Sequence, residues 1–137
     1  MTRALPHLRG LLDTSVFIAI EQDRPIDFGG LPVEQYVSSI TRGELLAGVH
    51  AAQSADVRAV RMSTIESLAG ISMLSADANA ATEWAKLRHA VSVAGRRPQI
   101  NDLWIAAVAL AHGLPVVTQD DDFDVFADVG NLQIIRV

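Results

Sequence analysis

The sequence predicts an α/β fold, a three-layer α/β/α sandwich with a central parallel sheet of about five strands. Apolar segments of strand length alternate along the chain with longer segments of helical periodicity, which is typical of a parallel sheet covered on both faces. With 137 residues and a hydrophobic fraction of 50%, the chain has enough apolar surface for one such core. No repeat, low-complexity tract or linker interrupts it, so residues 1–137 are expected to form a single domain.

In the first half of the chain, a short apolar run passes directly into a segment in which Val16, Phe17 and Ile20 recur at helical spacing. A loop with proline and glycine leads to a second strand, and two helices follow before a third strand. Gly70 ends the second of these helices. The predicted strands are residues 10–13, 35–40 and 71–74, the predicted helices are residues 14–21, 41–52 and 55–69, and the loop is residues 24–32.

The second half contains two long helices of different character. One is amphipathic, with Ala81, Trp84, Leu87 and Val91 on its buried stripe. The other is apolar on nearly every side, which is typical of a central buried helix. A glycine follows each of them as a stop signal. The predicted helices are residues 77–94 and 102–112, the strands are residues 115–118 and 132–135, and residues 121–126 form at most a short helical turn.

Composition and charge exclude several classes of protein. The absence of cysteine excludes disulfides, thiolate zinc sites and cysteine nucleophiles, and it agrees with a reducing cytoplasm. No apolar run approaches the roughly 20 residues of a membrane span, and no signal peptide is evident, so we expect a cytoplasmic protein with no membrane partner. The net charge of -5 argues against a nucleic-acid partner, but cations bound at an acidic site would reverse the field locally.

Four acidic residues stand where a predicted strand ends or a predicted helix begins: Asp13, Glu44, Asp102 and Asp120. Because right-handed crossovers bring the carboxyl ends of parallel strands to one edge of the sheet, these side chains are expected to form one cluster. Two carboxylates about 5 Å apart repel by roughly 3 kcal/mol at an effective dielectric of about 20. The cluster therefore predicts a bound Mg²⁺ or Mn²⁺, hard ions that take oxygen ligands.

Each of these acids taken alone also has a structural explanation. Asp13 has the position of a helix N-cap, and Thr41 with Glu44 has the T-x-x-E spacing of a capping box. Asp102 at a helix start is favoured by the helix dipole by about 0.3–1 kcal/mol, and Asp120 suits a turn. These explanations do not account for an acid at all four junctions on the same edge, so the joint pattern favours a shared site.

Four segments, in order along the chain, resemble the motifs of PIN-domain nucleases and most closely those of VapC-type toxins of bacterial toxin–antitoxin pairs. The resemblance extends over about residues 11–135, and four spaced motifs are far more specific than any one of them. The segments are residues 11–17 (LLDTSVF), 41–48 (TRGELLAG), 100–107 (INDLWIAA) and 118–123 (TQDDDF).

This resemblance implies that Asp13, Glu44 and Asp102 hold the divalent metal ion. Asp120 matches the fourth acidic position by its interval from the preceding threonine, while the run of three acids leaves Asp122 as the alternative. The implied activity is that of an endoribonuclease in which a metal-activated water attacks the phosphodiester. Attack by water rather than by the ribose 2′-hydroxyl leaves 5′-phosphate and 3′-hydroxyl ends.

Further residues and partners follow from the same resemblance. Thr14 and Thr118 match hydroxyl residues that orient the carboxylates, and Asn101 is expected to support the carboxylates with them. Arg96 and Arg97 are candidate contacts to RNA phosphates, although solvated loop charge explains them equally well. RNA as the substrate, a cognate VapB-like antitoxin and a homodimer are implied by the family alone.

The remaining aromatic and imidazole side chains carry weaker predictions. Trp84 and Trp104 lie on apolar helix faces, so core packing is expected rather than stacking on bases. Four histidines lack metal-ligand spacing and are interpreted as surface or helix-end residues: His7, His50, His89 and His112.

Two rival functions fit part of the pattern. A receiver-like phosphoacceptor module also clusters acids at strand ends, but it needs a lysine at that edge, and Lys86, the single lysine, falls within a long helix. A PIN-like module without nuclease activity, serving to bind metal or RNA in regulation, is the second rival. The presence of all four acids argues against it, and a metal titration coupled to an RNA cleavage assay separates the two.

Overall fold

The computed structural model describes residues 8–137, so the prediction for His7 lies outside the described residues. This part of the chain contains five strands and six helices, with two helices between β2 and β3, two between β3 and β4, and short 3₁₀ turns at Phe28–Gly30 and Leu68–Gly70. The strands are β1 (Arg9–Leu12), β2 (Glu34–Ser38), β3 (Ser72–Leu74), β4 (Val116–Thr118) and β5 (Ile134–Arg136). The helices are α1 (Thr14–Glu21), α2 (Ser39–His50), α3 (Ala55–Ser67), α4 (Ala78–Val93), α5 (Ile100–Ala111) and α6 (Asp124–Gly130).

The strands form one parallel sheet with helices on both faces, which confirms the predicted three-layer sandwich. Consecutive residues of the central strands point to opposite layers. Leu11 and Val116 pack in the core that includes residues of α4, α5 and α6, whereas Leu12 and Val117 pack in the core that includes residues of α1, α2 and α3. Both faces of the central strands are therefore buried, which explains why their sequences are continuous apolar runs.

The order of the strands is β3-β2-β1-β4-β5. The chain extends the sheet outward from β1 through β2 to β3 and then returns to place β4 on the other side of β1. In sheets of this kind the ligand site lies beyond the carboxyl ends of the strands where the order reverses, which here is between β1 and β4. The order differs from 2-1-3-4-5, which a receiver-like fold requires, so that rival is excluded.

Several predicted boundaries were wrong, and the largest consequence concerns α2. This helix begins at Ser39, because Ser38 is its N-cap and accepts a hydrogen bond from the backbone N–H of Thr41 at 3.1 Å. Thr41 is therefore a buried residue inside the helix, and the capping box proposed for Thr41 and Glu44 does not exist. The other central helix, α5, also starts two residues earlier than predicted, so Asp102 lies in its first turn.

The remaining differences are local. The buried stripe of α4 contains Ala80 in place of Ala81, which is exposed. Ile20, predicted on the apolar side of α1, is half exposed. The segment expected to be at most a helical turn contains α6, seven residues long. His50 and His112 lie at the ends of helices and His89 is exposed on α4, as predicted. None of the helices within residues 8–137 is both long enough and apolar enough to cross a membrane.

Candidate functional site

Asp13 follows β1 directly and is the N-cap of α1, at the reversal point of the sheet. Its side chain is 3% exposed, and it accepts hydrogen bonds from the backbone N–H of Ser15 at 3.3 Å and from Oγ1 of Thr118 at 3.0 Å. Burial raises the pKa of Asp13, and the hydrogen bonds from Ser15 and Thr118 oppose that rise. Asp13 therefore caps α1 and also presents a buried carboxylate at the reversal point of the sheet.

A chain of hydroxyl groups ends on Asp13. Because Thr118 donates its single hydroxyl proton to Asp13, it can only accept from the hydroxyl of Ser15, 3.2 Å away. Ser15 in turn accepts from the backbone N–H of Gln119 at 3.0 Å. These contacts join the loop after β4 to the start of α1 and hold the carboxylate in one orientation.

A second hydroxyl chain ends on Glu44, in α2. Thr14 Oγ1 donates to Glu44 Oε1 at 2.8 Å and lies 3.0 Å from Oγ1 of Thr41. Since an ionised carboxylate only accepts, the proton of Thr14 is committed to Glu44, and Thr41 must donate to Thr14. The structure thus brings Thr14 to Glu44 and Thr118 to Asp13, one hydroxyl for each carboxylate.

Asp102 is the residue at which the acidic segments converge. It is half-buried in the first turn of α5, and no protein group within residues 8–137 donates a hydrogen bond to its side chain. Its pKa is raised to about 7, first by burial and then by other carboxylates. The charges that raise it, in decreasing order, belong to Asp13, Asp122, Glu44 and Asp120.

Asp120 and Asp122 both contribute to this field. Asp120 is half-buried just beyond β4, and burial raises its pKa, as do the charges of Asp122 and Asp121, whereas Arg24 lowers it. Asp122 is exposed, lines a cleft of about 310 Å³ together with Asp102, and raises the pKa of Asp102 more than Asp120 does. We therefore define the acidic site as five residues: Asp13, Glu44, Asp102, Asp120 and Asp122.

The other predicted residues are placed less directly. Asn101 is exposed, borders a separate groove with Glu44, and makes no hydrogen bond to any carboxylate in the described part of the chain. Arg96 and Arg97 are exposed and line the cleft that contains Asp102. Trp84 and Trp104 stack on each other with ring centroids 5.1 Å apart.

Sequence reasoning missed Ser15 and Thr41, which complete the two hydroxyl chains. Both lie within three residues of a predicted site residue, and both carry a hydroxyl next to a junction between a strand and a helix. That local pattern is a usable signal, but the partner of Ser15 is 103 residues away, and only the fold brings it near.

The donors of the acidic site are all oxygen atoms, which suits Mg²⁺ or Mn²⁺ rather than zinc or copper. From residue 8 onward, no group of three or more acidic or histidine side chains is gathered closely enough to enclose a metal ion by itself. Mg²⁺ does not need such a cage, because it keeps several water molecules and uses one or two carboxylates plus substrate oxygens. A half-buried carboxylate with a raised pKa and no donor, Asp102, therefore fits a hydrated divalent cation.

Comparison with known proteins gives a consistent result. The family model of the PIN domain matches residues 10–129. The chain is 48% identical over 128 residues to Ribonuclease VapC5 of Mycobacterium tuberculosis, covering 93% of this chain and 95% of that protein. Ribonuclease VapC4 of the same organism is 42% identical over 123 residues, or 88% of this chain and 93% of that protein. The crystal structure of VapBC-5, from the VapBC family of toxin–antitoxin systems of M. tuberculosis, matches with a TM-score of 0.88 and 46% identity, covering 95% of this chain and 99% of that chain.

Proposed function

This chain belongs to the PIN-domain family, and on that premise we propose that it is a divalent-metal-dependent endoribonuclease and the toxin of a type II toxin–antitoxin pair. The observation that carries the proposal is the convergence of carboxylates on Asp102, whose pKa is raised first by burial and then by acids from three other segments of the chain. The names of the similar proteins, Ribonuclease VapC5 and VapBC-5, supply the substrate class and the kind of partner.

In this proposal Asp13, Glu44 and Asp102 hold Mg²⁺ or Mn²⁺, together with Asp120 or Asp122. When bound, such an ion supplies an activated water and neutralises charge on the phosphate during in-line displacement. The hydroxyl groups of the protein orient the carboxylates of Asp13 and Glu44. The hydroxyls of Thr118 and Thr14 each occupy one acceptor position of a carboxylate, so the remaining lone pairs are held toward the centre of the site.

Hydrolysis by water leaves 5′-phosphate and 3′-hydroxyl ends. The alternative, attack by the ribose 2′-hydroxyl, needs a base and an acid placed at the reacting oxygens, and histidine is the usual choice. None of His50, His89 and His112 lines the cleft that contains Asp102, and they lie at helix ends or on the exposed face of α4. In the part of the chain that the structure describes, the site thus suits hydrolysis by water, and Asp13, Glu44 and Asp102 are the residues that would hold the ion.

Two arginines beside the acidic site are positioned to bind the RNA backbone. Arg96 and Arg97 line the same cleft as Asp102, so their guanidinium groups suit phosphates on either side of the cleaved bond. We also propose a cognate VapB-like antitoxin, a homodimer and action in the cytoplasm, where the RNA substrate is found.

The test is a metal titration coupled to RNA cleavage by the purified full-length chain. Cleavage is expected with Mg²⁺ or Mn²⁺, to stop with chelator, and to fall by about a hundredfold or more in Asp102→Asn. Asp56→Asn is the matched control, because Asp56 also lies in the first turn of a helix but on the exposed side of α3. A wild-type chain that binds metal but cuts no RNA would favour the rival, a PIN-like metal- or RNA-binding regulatory module.

A further inference from the structure

A second and larger cleft, of about 800 Å³, lies between α4 and the loop that precedes α5. Three arginines line it, Arg88, Arg96 and Arg97, and none of its lining residues is acidic. The whole chain carries a net charge of -5, so a cleft lined by three arginines and no acid differs in sign from the chain as a whole. Such a lining favours an anionic occupant.

Arg88 is held at this cleft by an aromatic stack. Its guanidinium carbon lies 5.6 Å from the ring centroid of Trp84, and the other partner of Trp84 is Trp104, stacked at 5.1 Å. Within residues 8–137 no carboxylate lies within 4.0 Å of Arg88, in contrast to Arg96, which is 3.8 Å from Asp128. The guanidinium is therefore positioned by a ring but left without a counter-ion.

The cleft is continuous with the acidic site. Arg96, Arg97 and Pro98 line both this cleft and the smaller one that contains Asp102, and Leu103, the next residue of α5, belongs to the larger cleft. The two loop arginines therefore border both the cleft of Asp102 and the cleft of Arg88.

We infer that the larger cleft, named here the Arg88 cleft, binds a nucleotide of single-stranded RNA that flanks the cleaved bond, and that Arg88 contacts its phosphate. The inference rests on the proposed ribonuclease function and deepens it by assigning a second point of substrate contact. The mixed lining suits this occupant, since the exposed side chain of Ile100 offers apolar surface to a base while the arginines contact the backbone.

The experiment measures RNA binding without cleavage. The full-length chain carrying Asp13→Asn is titrated, with Mg²⁺, against a short fluorescein-labelled pool of single-stranded RNA of random sequence, and anisotropy is read. Adding Arg88→Gln should weaken binding about five- to tenfold and reduce the slope of log Kd against log salt by about 0.7, as expected for one lost phosphate contact. Arg58→Gln, an exposed arginine of α3 that lines none of the clefts described above, should change Kd less than about twofold.

The outcomes separate this inference from the function on which it rests. If Arg88→Gln binds RNA as Arg58→Gln does while the wild-type chain still cuts RNA with metal, the Arg88 cleft is not a substrate site and the proposed function stands. If the wild-type chain neither binds nor cuts the pool, both fail. Weaker binding of an antitoxin, with RNA binding unchanged, would assign the cleft to a protein partner and overturn the inference.

Discussion

Removing the charge of Asp102 should stabilise the metal-free protein. The pKa of this carboxyl is raised from 3.8 to about 7, by burial first and by the carboxylates of Asp13, Asp122, Glu44 and Asp120 next. A pKa that is higher by about three corresponds to a free energy of roughly 4 kcal/mol that favours the protonated over the charged form in the folded state. Because the side chain is only half-buried, solvent screening reduces this to about 2 kcal/mol.

One opposing effect must be subtracted. Asp102 lies in the first turn of α5, where a negative charge is favoured by about 0.5 kcal/mol, and asparagine loses that interaction. The net gain for Asp102→Asn is then about 1.5 kcal/mol above pH 7. For a chain of this size that raises the melting temperature by about 5 °C.

The gain depends on pH with a definite sign. Asp102 binds its proton more tightly in the folded than in the unfolded state, so between pH 4 and 7 the folded state holds more protons. The contribution of Asp102 to the stability of the metal-free wild type therefore falls as pH rises through this window and levels off above it. The advantage of Asp102→Asn should accordingly be near zero at pH 4 and complete above pH 7.

Differential scanning calorimetry in chelator, and then across a Mn²⁺ titration, measures these effects. A cation that binds the native state at about 100 times its Kd stabilises the wild type by roughly 2.7 kcal/mol, and Asp102→Asn should lose most of that response. Asp56→Asn controls for the helix dipole, because Asp56 occupies the first turn of α3 on the exposed surface. An Asp102→Asn protein that melts below the wild type in chelator, like the control, and responds normally to Mn²⁺ would refute the clustered site.

Three further predictions concern single contacts. Thr118→Val should cost about 1–3 kcal/mol in thermal unfolding, because the buried carboxylate of Asp13 loses its hydroxyl donor; a variant as stable as the wild type would contradict the hydroxyl chain. Asp122→Asn should weaken Mn²⁺ binding, measured by calorimetry, at least as much as Asp120→Asn, because the charge of Asp122 acts more strongly on Asp102. A larger loss in Asp120→Asn would instead favour Asp120, which the spacing after Thr118 predicts, as the residue that holds the ion. The antitoxin should insert an arginine among the carboxylates, so Asp102→Asn should weaken the complex in a pull-down titration, and unchanged affinity would place inhibition elsewhere.

Much of the fold was predictable because its determinants are local. The alternation of apolar strands with helices fixed the three layers, and the junction of β1 with α1 placed Asp13 at the sheet edge. The start of α2 was not predictable by the same means. Ser38 and Thr41 are both good N-cap residues. The N-cap is the residue before the helix that still has an extended backbone, and here that residue is Ser38, with ψ of 154°.

The site was predictable at the level of its carboxylates and not of their supports. Acids at strand ends follow from topology, whereas the hydroxyl chain from Ser15 to Thr118 spans 103 residues and depends on β4 lying beside β1. The relative placement of Asp120 and Asp122 depends on the path of the loop before α6. Neither the periodicity of apolar residues nor secondary-structure propensity predicts that path. The Arg88 cleft was missed because α4 was interpreted only through its buried stripe.

The chemistry of the cleaved RNA ends tests the proposed mechanism most directly. Fragments produced by the full-length chain with Mg²⁺ are mapped and assayed for 5′-phosphate and 3′-hydroxyl groups, in parallel with Asp13→Asn, which keeps an N-cap for α1 but lacks the charge. The wild type is predicted to give 5′-phosphate and 3′-hydroxyl ends, and the folded variant is predicted to give almost no fragments. Fragments that end in a 2′,3′-cyclic phosphate, or equal cleavage by Asp13→Asn or in chelator, would contradict hydrolysis at the acidic site.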